Sequence, residues 1–170
     1  IDDLYKHGAG LVVWTVMMPE ADRQGGDAAL MLELEDHPVV LTNMPSQATK
    51  NIPRKPGSAV IGDEYSDTII TYPGIIANIP GLERNAAGVG IANTFPEVDG
   101  VNRRLPLFVG YDNNVYPSIP LEVLRVISGD STFQVKLNEF GVEKMRIPSF
   151  RPISTDSLGR IWVDWSQKST

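Results

Sequence analysis

The chain has 170 residues, with 15 lysines and arginines against 21 aspartates and glutamates, a net charge of −6 and no cysteine. That balance excludes a nucleic-acid surface, which needs a basic footprint for phosphates, and the missing thiols exclude disulfides, thiolate zinc sites and a cysteine nucleophile. Apolar residues at 42% and charged residues at 21% mark a folded chain, long enough for one domain over residues 1–170.

Residues 1–8 read as the tail of an amphipathic helix that stops at Gly8. A helix entered mid-pattern is expected of a piece cut from a longer protein. The β-branched apolar run at 11–18 predicts a strand buried on both faces, ended by Pro19. It is the longest apolar run, far short of the ~20 residues a membrane-spanning helix needs. Residues 28–35 predict a helix with Asp27 as its N-cap, and 39–42 a second strand. Helix, strand, helix, strand is the order of an α/β unit. Prolines at 45, 53, 56, 73 and 80 then break the pattern into loop and short edge strands, at 58–61 and 68–72. One or two helical turns are expected at 82–87. Strands at 88–94 and 103–111 are predicted to join through Pro96-Glu97-Val98-Asp99-Gly100, with Asp-Gly as the turn. Asp112-Asn113-Asn114 predicts another turn, and Ser118 opens a mostly apolar helix over 119–127 with Gly129 just past its end. Strands are expected at 133–137, 143–147 and 160–165, the last after a turn at 156–159. The fold class is α/β, a single domain with a central mixed β-sheet flanked by helices and a β-rich C-terminal part.

Residues able to do chemistry are few. His7 and His37 each fall at a predicted helix end, where the helix dipole favours a cation, and both read as structural. No Gly-x-Ser-x-Gly elbow is present, so no catalytic residue is assigned. Gly88-Val89-Gly90-Ile91-Ala92-Asn93 approaches a dinucleotide fingerprint, but Asn93 replaces the third glycine and no helix follows. Close packing of a strand against its neighbours is expected instead. Asp22, Asp27, Glu97 and Asp99 match no calcium loop, and neither a metal nor a cofactor is expected. Arg103 and Arg104 stand out. Adjacent strand residues face opposite ways, so one guanidinium points inward and needs either a carboxylate, Glu97 or Asp99, or an anionic small ligand.

The stretch Ala87-Gly88-Val89-Gly90-Ile91-Ala92-Asn93-Thr94-Phe95-Pro96-Glu97-Val98-Asp99-Gly100-Val101-Asn102-Arg103-Arg104-Leu105-Pro106-Leu107 closely resembles the central signature of the type-two CHASE domain. That signature is a glycine-rich strand, an acidic Asp-Gly turn, a pair of arginines and Pro-Leu. Residues 19–30, Tyr116-Pro117-Ser118 with the helix start it opens, and the Thr155-Asp156 turn within 153–160 are similar to further family segments in the same order. The chain departs from the family in lacking the preceding strand and the full first helix, and in having Thr15 where an aspartate is common. The resemblance implies an extracytoplasmic sensory domain, periplasmic or extracellular. In the family such a domain sits ahead of an adenylate or diguanylate cyclase, a histidine kinase or a serine/threonine kinase. It implies membrane anchoring in the full receptor and a small-molecule ligand whose identity the family does not supply; a homodimer is a further expectation, and the charge balance leaves no nucleic-acid partner. From the residues themselves, the ligand-binding candidates are Asn93, Asp99, Arg103, Arg104, Thr155 and Asp156, all at strand ends or turns. Other readings are a free-standing periplasmic small-molecule binding protein, a dimerisation module, and a hydrolase using Asp and Glu pairs.

Overall fold

A computed structural model describes residues 1–62, 69–93 and 96–165. The chain opens with α1 (Asp2–Lys6), β1 (Val12–Trp14), α2 (Asp27–Asp36) and β2 (Val39–Ser46). β1 and β2 pair in parallel, Val12 opposite Val39 and Trp14 opposite Leu41, with α2 as the crossover that parallel strands require. The first strand is three residues long, not eight. Beyond Trp14 the chain is diverted: Met18 N–H donates to Asn78 Oδ1 at 2.7 Å, and Met18 C=O accepts from Ile79 N–H at 2.9 Å. Asp27 is the first residue of α2 and not its cap. Its carboxylate accepts from Asp22 N–H at 2.8 Å, while Asp22 accepts from Gln24 N–H at 3.2 Å and Gly26 N–H at 2.7 Å, so this pair shapes the loop before α2 and the helix has no side-chain cap. Those amide bonds hold the Asp22 carboxyl below its usual value. Both histidines lie at helix ends as expected. His7 follows α1, and His37 follows α2 with its ring stacked on Tyr5 at 4.4 Å.

Next come β3 (Ser58–Ile61), β4 (Gly74–Ile76), α3 (Pro80–Asn85) and β5 (Gly88–Ile91). Of the predicted run at 68–72, Thr68 lies outside the described residues, and Thr71 makes only an isolated bridge to Gly110. β2 is the hub of a four-stranded mixed sheet, parallel to β1 and β5 and antiparallel to β4. The remainder is β6 (Arg104–Pro106), β7 (Phe108–Tyr111), β8 (Asn114–Pro117), α4 (Ile119–Ile127), β9 (Phe133–Asn138), β10 (Gly141–Arg146) and β11 (Arg160–Trp162). β9 pairs antiparallel with β10 and parallel with β3, and β11 pairs antiparallel with β6. The turn predicted at 112–114 forms, and it joins β7 and β8 in an antiparallel hairpin not expected from the sequence. Its two loop residues, Asp112 (φ 45) and Asn113 (φ 54), have the positive φ of a turn that matches strand twist.

The hairpin expected between 88–94 and 103–111 does not form. Thr94 lies outside the described residues; β5 pairs with β2, and β6 with β11. The Asp-Gly turn closes only on itself, with Gly100 N–H donating to Glu97 C=O at 2.8 Å and Glu97 N–H to Val101 C=O at 3.1 Å. Pro106 supplies no N–H and keeps β6 out of a sheet interior.

The glycine run of β5 is a close-approach surface, as its sequence suggested. A Cβ at Gly90 would lie 2.6 Å from Ile119 Cα, and one at Gly88 2.6 Å from Glu122 Oε1. Alternation therefore puts α4 on one face of the sheet. Val89, on the other face, joins Val39, Leu41, Leu34 and Leu82 in the core under α2 and α3. A second core, around Phe108, Leu121, Phe133, Val135, Met145 and Ile147, fills the C-terminal part.

Buried among these elements is a carboxylate that no periodicity announces. Glu83 of α3 is 1% exposed. It accepts from Asn43 Nδ2 at 2.7 Å, from Asn78 N–H at 3.2 Å and from Arg54 N–H. Asn78 in turn donates to Asn43 Oδ1 at 2.8 Å and to Thr42 C=O at 3.0 Å. Arg54 Nη1 reaches the carbonyls of Glu83 and Ala86, both at 2.8 Å.

Two predictions follow from this packing. Gly90→Ala forces β5 and α4 apart and lowers the unfolding free energy by about 2 kcal/mol in urea titration. For Glu83, burial raises the carboxyl above the ordinary glutamate range despite its three N–H donors. A folded-state pKa above the unfolded one means that ionised Glu83 opposes the fold at neutral pH. That opposition fades as pH falls through the folded value toward the unfolded one. Wild type therefore gains stability relative to Glu83→Gln on acidification from neutral pH, and Glu83→Ala costs about 3 kcal/mol by stranding three donors. A wild-type-to-Gln difference that stays constant with pH would refute the assignment.

Candidate functional site

The two-stranded ribbon of β6 and β11 turns Leu105 and Ile161 to one side, where Ile161 packs on the C-terminal core. Its other side carries Arg104, Arg160 and Trp162, with Arg104 directly opposite Trp162 and its guanidinium 5.4 Å from the indole centroid. The turn at residues 96–100 stands over this side. Between them is an open cleft of about 650 Å³, lined by Pro96, Glu97, Val98, Asp99, Arg104 and Arg160.

Every guanidinium at this place has a carboxylate partner. Arg104 Nε donates to Glu97 Oε1 at 2.8 Å, and its Nη1 is 3.6 Å from Asp156 Oδ2. Arg103 Nη1 lies 2.8 Å from Asp99 Oδ2 and 3.6 Å from Glu97 Oε2. Arg160 Nε donates to Asp156 Oδ2 at 2.8 Å. Asp156 Oδ1 also accepts the amides of Leu158 at 3.0 Å and Arg160 at 2.9 Å, which shapes the turn predicted at 156–159. The Val101 amide and then Arg103 hold the Asp99 carboxyl below its usual value, and Asp99 in turn raises the Arg103 guanidinium. These ion pairs join three cations to three anions among the described residues, so this network has no net positive charge to offer a bare anion.

Of the six candidate residues, Asp99, Arg103, Arg104 and Asp156 are joined in this network, and Thr155 adjoins Asp156 partly buried. Asn93 is buried and does not line the cleft; its Nδ2 lies 3.5 Å from Pro106 C=O, and its Oδ1 has no partner among the described residues. The carboxylates expected for the arginine pair, Glu97 and Asp99, are both found there, and Asp156 is a further partner of Arg104. Arg160 and Trp162 were not anticipated, although period-2 alternation within the predicted strand places both on one face.

The profile of the CHASE2 domain matches residues 1–170, the whole chain. The chain belongs to that family. No curated protein and no solved structure matches it. CHASE2 domains are extracellular sensory modules of signalling receptors, not catalysts. Among the described residues of this CHASE2 domain, no helix is long and apolar enough to cross a membrane.

Within the network the partners are not equivalent. The Arg103 pair is solvent-facing and screened, so Arg103→Ala leaves the urea midpoint unchanged. Asp156→Ala removes two amide bonds and a charged one together and is expected to cost about 2 kcal/mol in the same titration.

Proposed function

We propose that this CHASE2 domain is the ligand-sensing input of a bacterial transmembrane receptor, outside the cytoplasm, with a cyclase or a histidine or serine/threonine kinase as output. We place the small-molecule site in the cleft between the 96–100 turn and the β6–β11 ribbon, with Asp99, Arg103, Arg104, Thr155 and Asp156 at or beside it. The supporting observation is the balanced ion-pair network lining an open cleft. A ligand that draws Arg104 from Glu97 or Asp156 exchanges one set of charged hydrogen bonds for another, and so favours one arrangement of the turn over the other. Signalling needs that difference, because a ligand shifts a two-state equilibrium only by binding the states unequally. The balance favours a ligand carrying both donors and acceptors.

A second reading is supported by Trp162 and Trp165, each 70% exposed, with Trp165 Nε1 donating to Asn102 C=O at 2.9 Å next to the exposed Val101. Tryptophan and arginine together are typical of interface centres, so this rim is a candidate for holding receptor subunits together.

A thermal-shift screen against small metabolites tests the first reading. At about 100 times its Kd a ligand raises the midpoint by roughly 5 °C. Arg104→Ala is expected to abolish that shift and the output response of the full-length receptor. A variant that keeps its fold, its shift and its signalling overturns the site. Flat curves with a concentration-dependent dimer that Trp162→Ala dissolves favour the second reading.

A further inference from the structure

The outer face of the sheet formed by β3, β9 and β10 carries an unfavourable charge pairing that its own irregularity creates. Along β9, Phe133, Val135 and Leu137 are buried, and Gln134 and Lys136 face outward. Along β10, Val142 packs against the core and Met145 is fully buried, three positions on, so unbroken alternation would have sent Lys144 inward. A bulge between Val142 and Lys144 adds one residue, Glu143, and turns Lys144 outward, directly opposite Lys136. Like charges in that position destabilise a sheet. Next to them Arg146 stands opposite Gln134, whose Oε1 accepts Arg146 Nε–H at 2.7 Å and aims the guanidinium, with its Nη groups left for another acceptor. Glu143 offsets Lys136 at 2.8 Å, but Lys144 and Arg146 have no carboxylate partner among the described residues. Ile61, opposite Lys136 on β3, completes a depression of about 230 Å³ lined by Gln134, Val135, Lys136, Lys144 and Arg146.

Among the described residues, three cations and one anion share this face, in a chain of net charge −6. The arginine cleft differs in that its cations are matched by carboxylates. We infer that this face binds a phosphate-class oxyanion through Lys144, Arg146 and Lys136. Two ammonium point charges beside an oriented guanidinium suit a small multivalent anion that accepts several charged hydrogen bonds. The depression covers one cell of the sheet, too small for an extended polyanion. The same chemistry is offered by a soluble phosphate or phosphate ester and by a phospholipid headgroup.

The test compares wild type with Lys144→Gln and Arg146→Gln, both at exposed positions. Inorganic phosphate is expected to raise the wild-type thermal midpoint by about 5 °C at a hundredfold excess over its Kd, beyond sodium chloride at equal ionic strength. Each variant is expected to lose that excess. Without phosphate at low salt, Lys144→Gln is expected to melt no lower than wild type, because it relieves the Lys136–Lys144 repulsion. Co-sedimentation with phosphatidylglycerol vesicles separates the sources: capture that Lys144→Gln abolishes, without a response to free phosphate, assigns a headgroup. A phosphate response with no capture assigns a soluble ligand. The inference is overturned if neither probe exceeds chloride, or if both variants respond as wild type does.

Discussion

Two buried carboxylates tie the helices of this domain to its sheet, and the positions of most other elements follow from them. Glu83 faces the α2–α3 side and gathers donors from β2, from the loop before α3 and from the segment at Arg54. Glu122 of α4, 3% exposed, works from the opposite side. It accepts Val89 N–H at 3.0 Å and holds Arg125 through contacts of 2.6 and 2.8 Å. Burying such groups is costly unless each lone pair is used. Here most are, and the geometry that uses them admits few alternatives. Asn78 must sit where it reaches Asn43, Thr42 and Met18 together, which draws residues 15–18 away from the sheet and ends β1 early.

The two charged surfaces follow opposite rules. In the cleft, each arginine is neutralised within the chain, and a ligand has to compete with an existing partner. Such a site responds by exchange, which suits a sensory domain whose output depends on a shift between arrangements. On the β9–β10 face, the bulge leaves cations in excess among the described residues, and an anion would relieve the Lys136–Lys144 repulsion. The ribbon's packing through Ile161 and the sheet's through Val135 and Met145 join one core, so both surfaces stand on the same support.

Much of the local structure was legible in the residues. Ser118 precedes α4 and Gly129 follows it as expected, although the Ser118 hydroxyl makes no capping bond; a first-turn proline and a glycine at positive φ set these ends locally. Asp112-Asn113 turns because both residues tolerate positive φ. Gly88 and Gly90 meant close packing, and the arginine pair called for either a nearby carboxylate or an anionic ligand; both expectations rest on short-range sterics and charge. The family, too, could be read from the order of its motifs.

Pairings across long stretches of chain were not legible. Asp156 joins Arg104 from more than fifty residues away, Glu83 finds Asn43 across forty, and β6 chooses β11 over β5. Hydrophobic periodicity states that a residue is buried, or on which face it lies, but it is silent about the partner. The partner is set by competition among all edges and donors for the few places where their hydrogen bonds can be met. Residue types settled the local turns, the close packing at the glycines and the need for compensation. Only the packed chain decided which carboxylate met which guanidinium, and which strand was left to form the cleft.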